Sequence, residues 1–258
     1  MELKEIERAM RIREAAHERA LEDGAYIVVR LDGRGFSALS RTLSLEKPFD
    51  HGFRDHMVAT ACHLMGCGFR TAYGYTQSDE ISVVLDRNHD AFGRRLQKTV
   101  SVLAGEASAA LSLALSTQAV FDARVLVLDA IDEVVAYLRW RQGDARRNAR
   151  VGYGYWLLRV QGANARQATR TLHRLGAREQ EQLLRERGGI ELGEVPAWQL
   201  GGIGLWHESF ERLGTDPRTG ESVVAVRRRI RVEEALPTGT AYGQWIRGIV
   251  AAEGASGD

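Results

Sequence analysis

Short β-branched apolar runs punctuate the first half of the chain, separated by longer stretches with helical periodicity. Tyr26-Ile27-Val28-Val29 and Ile81-Ser82-Val83-Val84-Leu85 are dense in strand formers, and Ala123, Val125 and Val127 alternate with other residues. The pattern predicts a charged amphipathic helix over 2–22, ending near Asp23-Gly24, and then a strand over 25–31. A helix over 49–67 follows, with Asp50 as its N-cap and Gly66 and Gly68 as terminators. Strands over 69–75 and 81–86 form a hairpin whose turn carries Gln77-Ser78-Asp79. A long helix over 90–116 and a strand over 122–128 complete the first half.

This order, β-α-β-β-α-β, is that of the split βαβ, ferredoxin-like arrangement, and places the chain in the α+β class. Such a sheet has two helices on one face and leaves the other open to a ligand. Residues 1–130 therefore form a palm-like core with an N-terminal helix, and 131–258 a mostly helical region packed on it. Helices are expected over 132–150, 153–161 and 165–187. Strands over 203–210 and 222–232 then make a terminal hairpin around the turn residues 216–220. Residues 254–258 are expected to be disordered.

At 258 residues the chain can bury a full core. Its 44% hydrophobic and 27% charged content is that of an ordinary globular protein, and the net charge of +1 neither favours nor excludes nucleic acid. Cys62 and Cys67 are the only cysteines, so no disulfide framework exists, which fits a cytoplasmic protein. The N-terminus is charged from Glu2 onward, without an apolar signal core. The most apolar helical stretch, 107–120, is interrupted by Ser108, Ser112, Ser116 and Gln118, so it reads as buried, with no membrane partner.

The candidate chemistry sits at strand ends. Arg30-Leu31-Asp32-Gly33-Arg34-Gly35-Phe36 closes the first strand, and Ser78-Asp79-Glu80 opens the third. Either motif alone is an ordinary turn or hairpin cap. Together they bring carboxylates to neighbouring strand ends, and Mg²⁺ needs only a few carboxylates plus substrate phosphates. Glycines beside Asp32 would let a triphosphate approach the backbone. Arg94, Arg95 and Lys98, with Lys47, could hold triphosphate oxygens over the open sheet face. Two basic clusters suit a polyanion such as RNA: Arg139, Arg141, Arg146, Arg147 and Arg150, and the alternating Arg227, Arg229 and Arg231. A solvated surface is the commoner meaning of each. His51, His56 and His63 lack metal-ligand spacing.

The ordered set of motifs resembles the tRNA-His guanylyltransferase family: the Arg30–Phe36 stretch, Lys47-Pro48-Phe49-Asp50, Gln77-Ser78-Asp79-Glu80, Phe92-Gly93-Arg94-Arg95 and Leu138-Arg139-Trp140-Arg141-Gln142-Gly143-Asp144. The likeness runs from about Tyr26 to Trp206. It implies a reverse polymerase that adds nucleotides 3′-to-5′ at the 5′ end of tRNA, with two Mg²⁺ ions in a palm-like core. By this resemblance Asp32, the Gly33 carbonyl and Asp79 are the metal ligands, and Glu80 completes the catalytic acids. Arg30, Gly33, Arg34, Gly35, Phe36, Ser37, Lys47, Asp50, Ser78, Arg95 and Lys98 are implied nucleotide contacts. Asn148 joins the arginines as a tRNA contact. Partners are tRNA and GTP, ATP or other NTPs, and the assembly is a tetramer built from dimers.

The chain departs from the family at Arg146-Arg147-Asn148-Ala149, where enzymes that add the extra guanosine carry His-x-Asn-Asn, and at Trp198-Gln199-Leu200-Gly201, where a basic residue often precedes the glycine. The first departure is shared with guanylyltransferase-like relatives that resemble template-dependent 5′-end repair enzymes. A nucleotidyl cyclase would use the same acidic pair without tRNA, and a non-catalytic RNA-binding protein would need only the arginines.

Overall fold

A computed structural model describes residues 2–215, 218 and 220–255. In chain order it contains α1 (Leu3–Ala15), β1 (Tyr26–Gly33), α2 (Phe36–Thr42), α3 (His51–Gly66), β2 (Thr71–Gln77), β3 (Glu80–Leu85), a 3-10 turn at Ala91–Arg94, α4 (Leu96–Leu115), β4 (Phe121–Leu128) and α5 (Ile131–Val160). Then come α6 (Ala165–Arg174), α7 (Ala177–Gly188), α8 (Ala197–Gly201), β5 (Ile203–Thr215), β6 (Ser222–Glu233) and α9 (Gly239–Ala255). The strands form one antiparallel sheet in the order β4-β1-β3-β2-β5-β6. The first four strands follow the β-α-β-β-α-β sequence expected from the hydrophobic pattern. The second half extends the same sheet, because β5 pairs with β2 through Gly74↔Leu205, Tyr75↔Gly204 and Thr76↔Ile203.

The expectation of an open sheet face is wrong. Ile27, Val29, Leu31, Ile81, Val83 and Leu85 face α3 and α4, burying Met57, Ala61, Leu64, Leu103, Ala107 and Leu111. Val28, Tyr73, Tyr75 and Val84 face the other way, onto Val134, Tyr137 and Leu138 of α5 and Tyr242, Ile246 and Val250 of α9. The sequence carries this signal, because Tyr26–Val29 is a continuous apolar run rather than an alternating one, as a strand covered on both faces requires. α4 passes the length and hydropathy test for a membrane span, yet its Thr99, Leu103, Ala107 and Leu111 stripe is buried in this core.

Several helix boundaries differ from expectation. The predicted helix over 2–22 stops at Ala15, and Ala20 instead makes a bridge with Arg95. The helices over 132–150 and 153–161 are one 30-residue helix, α5. Gly152 and Gly154 both lie inside it, and Gly154 leaves room for a neighbour: a Cβ there would lie 2.7 Å from Leu172 Cδ2 of α6. Conversely, the helix over 165–187 divides at Leu175 and Gly176 into α6 and α7. α9 was not anticipated. Asp216, Pro217 and Thr219 of the expected turn, and 256–258 of the expected tail, lie outside the described residues.

Arg94 is not over a ligand face. It is buried, and its guanidinium donates to the carbonyls of Leu21, Glu22, Ala25, Arg87 and His89, so it ties the β1 entry to the start of α4.

Candidate active site

Register places Asp32 of β1 directly opposite Glu80 of β3 and Asp122 of β4, at one end of the sheet. The β2–β3 hairpin closes beside it through the two residues Ser78 and Asp79, with Ser78 at φ 51. The Gly33 N–H donates to the Asp79 carbonyl at 3.0 Å, so the two motifs are locked to each other by backbone. Asp79 is half-buried, and its carboxyl is held above the ordinary carboxylate range by burial first, with the Asp32 charge adding to it. Ser78 Oγ donates to Asp79 Oδ1 at 3.1 Å and partly offsets this.

Glu80 has a different role from the one its grouping with the acids suggests. Both of its oxygens accept from Arg141, at 2.7 Å from Nε and 2.6 Å from Nη2, with both side chains buried. Burial pushes the Glu80 carboxyl up, and the Arg141 charge pulls it back. Arg141 also pairs with Asp144 at 3.1 Å. This overturns Arg141 as an RNA contact: it lies on the inward stripe Val134, Leu138, Arg141, Ala145 and Ala149 of α5, so it clamps that helix to the strand end. Arg150 is likewise turned inward, to Gln180 and Glu181. Arg139, Arg146, Arg147 and Asn148 are exposed. So are Arg227, Arg229 and Arg231, with Arg229 paired to Glu208.

A pocket of about 190 Å³ opens beside Asp79, on the α3 side of the sheet. Phe36, Ser37, Lys47, Asp50, Ser78 and Asp79, drawn from three separate stretches of sequence, all line it. Asp50 serves the fold here. Its oxygens accept from Phe53 N at 2.7 Å and Glu46 N at 2.9 Å, capping α3, and the Phe53 bond does most to lower its carboxyl. Lys47 Nζ donates to Ser40 Oγ at 2.9 Å and lies 6.0 Å from the Trp156 ring centre. Gly33, Arg34 and Gly35 make the turn into α2, with Gly35 at φ 77. Arg30 is on the opposite face, 5.9 Å from the Trp140 ring, beneath α5.

Arg95 and Lys98 are not in this site. β1 runs from Tyr26 to Asp32 while α4 begins near the β1 entry, where Leu96 N donates to Arg19 O. They line a separate groove with Glu18 and Arg19, at the far end of the sheet from Asp79. Sequence reasoning missed Arg54 and Trp198, which also line the pocket. The Arg54 guanidinium lies 5.1 Å from the Trp198 ring, and that ring meets Phe49 edge-on at 5.6 Å. Arg54 was legible as a basic residue one turn after the Asp50 cap. Trp198 was noted only as a departure from a family pattern, because nothing local says where α8 packs.

The comparisons with known proteins bear on this site. Residues 8–129 match the family model described as tRNAHis guanylyltransferase, a span that includes both acidic motifs. Over that span the chain is similar to the tRNAHis guanylyltransferase family. It is 30% identical over 181 residues to the probable tRNA(His) guanylyltransferase of Drosophila melanogaster, covering 67% of this chain and 63% of that protein. It is 28% identical over 238 residues to the tRNA(His) guanylyltransferase of Debaryomyces hansenii, covering 86% and 90%. Among solved structures it resembles a bacterial tRNA(His) guanylyltransferase-like protein determined in complex with GTP. The TM-score is 0.74 at 25% identity, over 95% of this chain and 99% of that one. The named members of the family are nucleotidyltransferases.

The metal that the family implies can be tested against the donor set. Asp32, the Gly33 carbonyl and Asp79 are hard oxygen donors. Neither Asp32 nor Asp79 has a cationic partner among the described residues, unlike Glu80. Asp79 feels Asp32 as uncompensated like charge, which a divalent cation would relieve. No group of three or more His, Cys, Asp or Glu side chains converges among the described residues. That suits Mg²⁺, which takes much of its shell from water and phosphate. The residues fit.

Gly33 is needed for a second reason. A Cβ on it would clash with the Phe36 ring, which packs against Phe53 and Phe121 in the core. Gly33→Ala should cost about 1–3 kcal/mol through this overpacking. Thermal unfolding checks it: an unchanged midpoint would mean that Phe36 moves aside freely.

Proposed function

We propose that the protein is a Mg²⁺-dependent nucleotidyltransferase that adds nucleotides in the 3′-to-5′ direction to the 5′ end of tRNA, as end repair or guanylyl addition. The observation that carries this reading is Asp79. It belongs at once to a strand end that carries two carboxylates and to a pocket bearing Lys47 and Arg54. The 4-1-3-2 order of the first four strands supports a ferredoxin-like, polymerase-palm-like core. The name of the bacterial relative bound to GTP supports a nucleoside triphosphate in the pocket.

In the mechanism, Asp32 and Asp79, with the Gly33 carbonyl, would hold two Mg²⁺ ions, which supply Lewis-acid stabilisation of phosphoryl charge and lower the pKa of an attacking hydroxyl. The apolar wall of Phe36, Phe53 and Met57 and the Phe49–Trp198 pair would seat the base and exclude water. Lys47 and Arg54 would meet triphosphate oxygens. The RNA 5′-monophosphate first attacks the α-phosphate of ATP or GTP, releasing pyrophosphate and leaving a 5′-5′ linked nucleotide. The 3′-hydroxyl of an incoming NTP then attacks the RNA 5′ phosphorus, and the nucleoside monophosphate departs. Alignment dominates such transfers, and the Gly33–Asp79 backbone bond together with the Glu80–Arg141 clamp supplies it. A cytoplasmic tetramer built from dimers is part of the proposal.

The test is an extension assay on full-length and 5′-truncated tRNA with Mg²⁺ and labelled NTPs, varying the opposing 3′-strand base. Growth at the 5′ end is expected. A cyclic nucleotide formed from NTP alone would instead favour the cyclase reading. No product with either substrate, from a protein that still binds tRNA, would leave RNA binding as the function.

A further inference from the structure

The sequence from Arg159 to Arg178 contains five arginines, Arg159, Arg166, Arg170, Arg174 and Arg178, and no acidic residue. With a whole-chain charge of only +1, the rest of the molecule is net negative. Arg166, Arg170 and Arg174 are spaced by four on α6, so at 3.6 residues per turn they form one stripe about 12 Å long. The two buried residues of that helix, Ala168 and Leu172, lie on the diametrically opposite side and seat it on α5. The stripe therefore points straight to solvent, and all five arginines are exposed.

Exposed helix faces elsewhere in this protein mix their signs. α1 pairs Glu7 with Arg11, and Arg185 of α7 pairs with Glu191 beyond its end. α6 has no such compensation: among the described residues no carboxylate pairs with Arg166, Arg170, Arg174 or Arg178. Like charges at i, i+4 cost a helix about 0.2–0.5 kcal/mol per pair, and an Asn164 cap with a reciprocal Gln167 bond holds α6 together against it. Such a stripe is relieved by a polyanion with regularly spaced charge.

The position is equally particular. Gly154 and Leu158 of α5 touch α6, while Tyr153 and Trp156, on the same turns of α5, face Phe49 and Lys47 at the pocket mouth. The pocket and the stripe thus lie on opposite sides of the α5–α6 layer, with two helices, each about 10 Å wide, between them. We propose that the α6 stripe is a docking surface for the phosphate backbone of the RNA whose 5′ end enters the pocket. This rests on the tRNA reading above and adds a surface distinct from the Arg139–Arg150 and Arg227–Arg231 clusters.

The test compares the wild-type chain with the triple variant R166Q/R170Q/R174Q. Binding of a full-length tRNA transcript is measured across a salt series, with ATP binding and the unfolding midpoint measured alongside. Loss of three phosphate contacts should make the slope of log K against log salt shallower by about 2–3 and weaken binding at least about tenfold near physiological salt. ATP affinity and unfolding should stay unchanged, and R166K/R170K/R174K should restore the slope. Equal tRNA affinity and slope in wild type and the glutamine variant overturns the surface alone. Wild type that binds ATP but no tRNA overturns the surface and the tRNA reading together.

Discussion

Asp79→Asn is expected to lower 5′-nucleotide addition at least about a thousand-fold, some 4 kcal/mol of transition-state stabilisation, while the protein stays folded. The loss follows from removing one of two carboxylates that repel each other and have no cationic partner among the described residues. The fold should not suffer, because Asp79 is a charge held in a half-buried turn. Asparagine keeps an acceptor for Ser78 Oγ and leaves the Gly33–Asp79 backbone bond intact. The sign of the pH dependence follows. A carboxyl raised in the folded state destabilises the fold once ionised, so Asp79 costs stability at neutral pH; the cost fades as pH falls through the raised folded-state value and is gone below the unfolded pKa of about 3.9. The metal-free variant should therefore be at least as stable as wild type at pH 7, with the difference closing in acid. Mg²⁺ should raise the wild-type unfolding midpoint but move the variant less. Near-normal extension by purified Asp79→Asn would end the two-carboxylate proposal.

Arg141→Met should be the most damaging single change to stability outside the apolar core. It strands Glu80, whose two oxygens have Arg141 as their side-chain partner beneath α5. Breaking a buried pair from one side costs about 3–5 kcal/mol, or roughly 6–20 °C in the midpoint for a chain of this size. The wild-type Glu80 carboxyl is already pushed up by burial and rescued mainly by Arg141. Without the arginine it rises further, so the deficit should be full at neutral pH and shrink as acid neutralises Glu80. Adding Glu80→Gln to the variant removes the stranded charge and should recover part of the loss. Thermal melts of the three proteins at several pH values decide the matter, and a midpoint for Arg141→Met within a degree of wild type would refute the clamp.

The local chemistry of the site was legible because it is written over short distances. A β-branched apolar strand ending in Asp32-Gly33, and a two-residue hairpin carrying Ser78-Asp79, follow from neighbouring residues alone. So does the Asp50 cap, which the structure realises through Phe53 N at 2.7 Å. Arg141 was misread although its place on the Val134–Leu138–Ala145 stripe of α5 was visible, because five arginines in a short stretch suggest surface before periodicity is consulted. Arg95 and Lys98 were misplaced for a different reason: proximity to a motif in sequence does not say at which end of a sheet a helix begins.

The sequence by itself therefore determined the order of the strands, the strand ends that carry the acids and the family to which the motifs point. The first two depend on side-chain pattern and turn chemistry within a dozen residues, and the third on short motifs read in order along the chain. The tertiary structure alone decided that α5 and α9 cover the second sheet face, that Glu80 is spent on Arg141, and that Trp198 closes a pocket begun at Phe36. Those outcomes depend on contacts between residues far apart in the chain, where the gain comes from removing apolar surface from water without regard to sequence distance.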